Sequence, residues 1–208
     1  MKKLTALLIS CFLIVGLTTT AQAQSPISFG LKGGLNIADV TGSDMDTSTR
    51  TGLTGGLALH LNLPALPVGI ESGLFYSQKG TVVSFTDPDF GSIDGTFKLD
   101  YLEIPVLAKL GLGAGPINPH LLAGPYLGFN LNAEVEGEES GFSFSEDISD
   151  DVNSTDFGLM FGAGLDFNLG VTALSAQARY SLGLTDIFED DDEGLKHGVF
   201  SVVVGINF

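Results

Sequence analysis

Beyond residue 26, apolar residues alternate with small or polar ones at a period of two. The alternation predicts eight strands, over 27–38, 51–63, 68–83, 97–110, 118–133, 155–168, 171–184 and 198–208. In the first, Ile27, Phe29, Leu31, Leu35 and Ile37 share one face, and Ser28, Gly30, Lys32, Gly34 and Asn36 share the other. The sixth sets Phe157, Leu159, Phe161, Ala163, Leu165 and Phe167 against Gly158, Met160, Gly162, Gly164 and Asp166. The last carries Phe200, Val202, Val204, Ile206 and Phe208 on one face, about the length of a barrel stave crossing a membrane. Pro105, inside the fourth strand, predicts a bulge or kink, because proline cannot donate to a ladder.

The connections alternate in length. Long ones are expected at 39–50, 84–96, 134–153 and 185–195, and short turns near 64, 111 and 168. Outer-membrane barrels have this alternation, with the long loops outside the cell. A soluble eight-stranded barrel would turn its apolar face inward around a ligand. Here the faces bearing Lys32, Glu71, Lys79, Glu103, Lys109, Asp166 and Arg179 are also the glycine-rich ones, which suits a crowded interior. The leucine and phenylalanine faces suit lipid. The predicted fold is all-β: an eight-stranded antiparallel transmembrane up-and-down barrel, closed because lipid leaves no backbone group unsatisfied.

Composition fits export. Met1-Lys2-Lys3, an apolar run from Leu4 to Leu17 and Ala21-Gln22-Ala23 form a secretory signal, with cleavage expected after Ala23. This divides the chain into a signal peptide, 1–23, and a barrel domain, 24–208. The single cysteine, Cys11, falls within the signal, so the exported chain carries no disulfide. No run approaches eighteen apolar residues, yet 44% of the chain is hydrophobic and the mean hydropathy is +0.31.

Charge narrows the partners. The chain has 25 acidic and 9 basic residues; removing Lys2 and Lys3 leaves 7 basic, a net charge near −18. Of the acidic residues, 20 lie in the four long connections, beside one basic residue, Arg50. Runs such as Glu134–Glu139 and Glu189–Glu193 read as solvated surface, with weak divalent-cation binding as the functional alternative. Repulsion disfavours nucleic acid. A monomer in outer-membrane lipid is expected.

No Gly-x-Ser-x-Gly elbow or metal-spaced histidine pair accompanies His60, His120 and His197, so no catalytic residue, cofactor or metal site is assigned. The seven inward charges form the candidate site. By depth, Glu71 and Lys109 sit toward the short-turn end on adjacent strands, while Glu103 faces Lys32, Lys79 or Arg179 nearer mid-height. An ion-paired plug is the expectation, and a narrow path for ions or small solutes is the alternative.

Several stretches together resemble the PorT-like outer-membrane beta-barrel family. They are Gly30-Leu31-Lys32-Gly33-Gly34-Leu35-Asn36, Tyr76-Ser77-Gln78-Lys79-Gly80, Tyr101-Leu102-Glu103-Ile104-Pro105, Ala123-Gly124-Pro125-Tyr126, Gly162-Ala163-Gly164 and Arg179-Tyr180-Ser181-Leu182-Gly183-Leu184. The resemblance implies an eight-stranded barrel in the outer membrane and no single activity; one branch of the family is associated with protein secretion across the envelope. It also implies that the terminal aromatic strand ending at Phe208 closes the barrel and is read by the insertion machinery.

Overall fold

The computed structural model describes residues 27–41, 47–63, 66–87, 91–113, 115–139, 142–149, 152–187 and 195–208. The signal segment with Ala21 and Ala23, and the acidic run 189–193, lie outside the described residues. Nine strands are described: β1 (Ile27–Thr41), β2 (Thr47–Asn62), β3 (Val68–Asp87), β4 (Gly91–Gly111), β5 (Ile117–Glu139), β6 (Phe142–Asp147), β7 (Thr155–Asn168), β8 (Ala173–Gly183) and β9 (Lys196–Asn207). Eight of them close a ring in the order β4-β3-β2-β1-β9-β8-β7-β5, with β5 returning to β4. All pairings are antiparallel.

Closure depends on the last strand. β9 pairs with β8 on one side and β1 on the other. Beyond the ladder proper, the Phe208 N–H donates to the Phe29 carbonyl at 2.7 Å and the Phe29 N–H donates back at 3.4 Å. Each of the eight ring strands thereby has a partner on both sides, as a hydrocarbon surround demands.

The alternation sorts side chains as the sequence predicts for most of the wall. Leu53, Leu57 and Val204 point outward at 59%, 61% and 59% exposure, and Phe29, Phe161, Phe200 and Phe208 join them. A continuous apolar belt of this kind has lipid as its only favourable solvent. Among the described residues, no helix is long and apolar enough to cross a membrane; the crossing is made by strands.

Three expectations need correction. Pro105 makes no bulge: the register of β4 is the same on either side of it, against both β3 and β5. The missing donor is absorbed by a gap in the β3 ladder opposite Ile104 and Pro105, where the Ser72 hydroxyl donates to the Pro105 carbonyl at 2.8 Å. The irregularities lie elsewhere. One is on β2 between Thr49 and Thr54, and the other is on β5, where Leu131 is the extra residue between Asn130 (opposite Tyr101) and Asn132 (opposite Asp100).

Two of the expected long loops are largely strand. β3 and β4 run on as a paired hairpin to Asp87 and Gly91. The stretch 134–139 belongs to β5, paired with β4 on one side and β6 on the other. The wall formed by β3, β4 and β5 is therefore much taller than that of β7 and β8, whose ladder ends at Gly158 and Gly183. Short turns sit at the opposite end, where Gly170 at φ 96° takes a backbone conformation open mainly to glycine.

Above the bulge, Ala133 faces the barrel axis and joins Leu99, Tyr101, Val152 and Ile187 in a small apolar cluster, with Ile148 and Leu195 packed against it. The connecting segments are pinned there by backbone bonds, Ile148 N–H to the Ala133 carbonyl at 2.9 Å and Asn153 N–H to the Ile187 carbonyl at 2.8 Å. This cluster caps the lumen at its long-loop end.

Candidate functional site: a filled lumen beneath an acidic surface sheet

Inward-pointing residues fill the barrel in two polar layers. The layer nearer the short turns is built around Glu71 on β3. Its Oε1 lies 2.5 Å from Lys32 Nζ on β1 and 2.6 Å from Arg179 Nη2 on β8. Its Oε2 accepts from Gln177 Nε2 at 3.1 Å and lies 3.3 Å from His60 Nδ1. Lys109 on β4 is 4.0 Å from Glu71 and 2.6 Å from Asp166 on β7. His120 lies 3.4 Å from Asp166 through Nδ1 and 3.2 Å from Gln177 through Nε2. Arg179 is held flat by its neighbour two residues back, donating through Nε and Nη2 to the Gln177 Oε1 at 2.9 and 2.5 Å.

The layer nearer the long loops is built around Lys79, whose side chain is fully buried. Its Nζ lies 2.6 Å from Glu103 Oε1 and 2.8 Å from Asp156 Oδ2. The rings of Tyr101 and Tyr126 lie 4.9 and 4.8 Å from the same ammonium, within cation–π range. The Tyr126 hydroxyl donates to Asp156 at 3.0 Å. Tyr101 meets His197 edge to face, centroids 5.4 Å apart, and its hydroxyl is 3.3 Å from His197 Nε2. Tyr101 thus belongs both to this polar layer and to the apolar cap above it.

Between the layers is a cavity of about 10 Å³, the room of one water molecule, bordered by Asn36, Ser77, Glu103, Arg179, Ser181 and Ser201. Glu103 borders this space, and its Oε1 lies outside hydrogen-bonding geometry despite its closeness to Lys79. Asn36 bridges the wall here, donating to the Ser77 hydroxyl at 3.0 Å and accepting from Ser201 at 2.8 Å.

Sequence parity places all seven charged residues in the lumen, and the structure brings them into two groups. The partner choice differs from expectation: Lys32 and Arg179 both go to Glu71, leaving Glu103 to Lys79. Asp156, missing from the sequence set, is the eighth charge. Its parity with Gly158 and Met160 marks it inward, but it stands beside a long connection. With it the two layers hold four basic and four acidic side chains, Lys32, Lys79, Lys109 and Arg179 against Glu71, Glu103, Asp156 and Asp166. Glycines make room for the large side chains. A Cβ on Gly158 would stand 2.5 Å from the Tyr126 ring, and one on Gly205 would stand 2.6 Å from Lys32 Cγ.

All three histidines are buried and engaged with Asn207 and Glu71, with Gln177 and Asp166, or with Tyr101. Among the described residues, no three His, Cys, Asp or Glu side chains converge as a metal site. Outside the lumen, the protruding sheet carries Lys98 paired with Glu136, and Asp147 held below the usual carboxylate range by its bonds from Ser149.

A closed eight-stranded ring, an apolar belt and a lumen packed with paired charges define a membrane-spanning barrel protein. The model of the outer membrane protein beta-barrel domain family matches residues 21–189, and the chain belongs to that family, which places it in the outer membrane. No curated protein matches the chain. Among solved structures, it is similar to Neisserial surface protein A (16% identity, 88% of this chain and 100% of that one, TM-score 0.50). A major outer membrane protein of Thermus thermophilus is comparable (13% identity, 88% and 99%, TM-score 0.50). The attachment invasion locus protein of Yersinia pestis superposes more loosely (18% identity, 88% and 100%, TM-score 0.46). At these identities the likeness concerns the fold.

Proposed function

We propose that this protein is a closed, non-enzymatic anchor that holds an acidic β-sheet above the outer membrane for contact with other molecules. The observation that carries this reading is the filled lumen. Lys32, Arg179 and Lys79 find carboxylates within 2.5–2.8 Å, and the space bordered by Glu103 and Arg179 has room for about one water. Breaking such pairs to admit a hydrated ion would expose uncompensated charge.

Planar-bilayer recording of the purified barrel tests the reading. The expected record has no discrete conductance steps at neutral pH. Reproducible ion-selective steps that change with Glu103→Gln would overturn it in favour of a narrow solute channel. The ordered motifs from Gly30 to Leu184 support a finer assignment to the PorT-like family, and the role in envelope secretion associated with one branch of that family is the corresponding alternative. Loss of secreted proteins from a deletion strain would favour that alternative.

A further inference from the structure

We propose that β6 is a docking edge to which a partner protein adds an extended, basic segment as a further strand; this rests on the reading of the long-loop end as a contact surface. β6 stands at the end of the strand order and, among the described residues, pairs with β5 alone. Above Phe129, β5 leaves β7 and takes β6 as its partner on that side, so the hairpin rises past the ring. In a strand paired on one side, alternate N–H and C=O groups point to the other side and can accept another chain.

The charge of the hairpin selects the occupant. Residues 134–147 include six acidic side chains, Glu134, Glu136, Glu138, Glu139, Glu146 and Asp147, and no basic one. Glu146 and Asp147 are exposed, and the Ser149 N–H at the strand's end donates to the Asp147 carboxylate at 2.9 Å. Pairing with a second copy would set carboxylates against carboxylates, which acidic edge strands use to block self-association. A lysine- or arginine-bearing strand meets the opposite field and gains the main-chain ladder as well.

The test uses the full chain in lipid nanodiscs and an eight-residue peptide of alternating lysine and valine. A control peptide of the same sequence has every second amide N-methylated, so that it keeps the charge but cannot pair. The expected result is saturable binding of the first peptide, weakened by salt, with slowed hydrogen exchange at residues 143–147 and at least tenfold weaker binding of the control. Proline at 144 or 145, whichever amide points away from β5, should abolish binding while the barrel keeps its heat-modifiable migration. Equal binding of both peptides would reduce the site to unspecific charge and overturn the proposal. Exchange protection that grows with protein concentration, with no peptide present, would overturn it in favour of self-pairing. A conducting barrel that still binds the peptide would sink only the closed-anchor reading; a silent barrel that ignores it would sink only the edge.

Discussion

Glu71 and Arg179 meet 2.6 Å apart across the full width of the barrel. Their strands, β3 and β8, stand four places apart in a ring of eight, so the pair is a strut between opposite walls. Lys32 joins it from β1, two places from β3. One carboxylate therefore balances two cations. Glu71→Gln is expected to cost about 3–5 kcal/mol, the usual penalty for leaving buried charge unpaired. Glu103→Gln should cost clearly less, because Lys79 keeps Asp156 at 2.8 Å. The temperature at which each variant loses heat-modifiable migration on a gel gives the ranking; equal losses would contradict it.

Lys79 presents the converse case. Lys79→Met leaves Glu103 and Asp156 facing each other without a cation, and should be at least as damaging as Glu71→Gln. Adding Glu103→Gln and Asp156→Asn to that variant should recover most of the loss. A double-mutant cycle read by the same gel assay measures the coupling.

Gly158→Ala should destabilise the barrel with no change of charge. The new methyl would stand 2.3 Å from the Leu182 carbonyl and 2.5 Å from the Tyr126 ring, and Tyr126 is fixed by Asp156. Overpacking of this kind costs about 1–3 kcal/mol. Gly115→Ala, with no atom within 4 Å of the added Cβ but a φ of 140°, separates crowding from backbone strain.

Phe208→Asp should lower the yield of folded protein in the outer membrane. Its side chain is 55% exposed on the lipid face, and its main chain completes the seam with Phe29. Deleting the residue removes both contributions. Quantifying folded and unfolded bands in isolated outer membranes tests this; normal folded amounts in both variants would refute it.

Much of the ring was legible in the chain. In β7, Phe157 to Phe167 alternate with Gly158 to Asp166, and that pattern fixes which face meets lipid. Parity names a face but not a partner. Which cation reaches Glu71 depends on the shear between strands four places apart, and no local pattern reports it. The upper hairpin of β3 and β4 is not legible in the chain because Gly91–Gly95 lacks an apolar alternation. The bulge of β5 left no trace either, since Phe129, Leu131, Ala133 and Val135 alternate without a break past the inserted residue.

That extra residue on β5 divides two chemistries along one strand. Below Leu131, the odd-numbered Leu121, Ala123, Leu127 and Phe129 turn outward and the even-numbered His120, Tyr126 and Gly128 turn inward. Above it the same parity is reversed: Ala133 is buried within, while Asn132, Glu134 and Glu136 take the outer side with Lys98. The wall is thus inside-out in the membrane and right side out in water, and the changeover occupies a single residue. On this side of the barrel the outer face turns from apolar to acidic at that one change of backbone register, just above the row in which Tyr76 and Phe129 face outward.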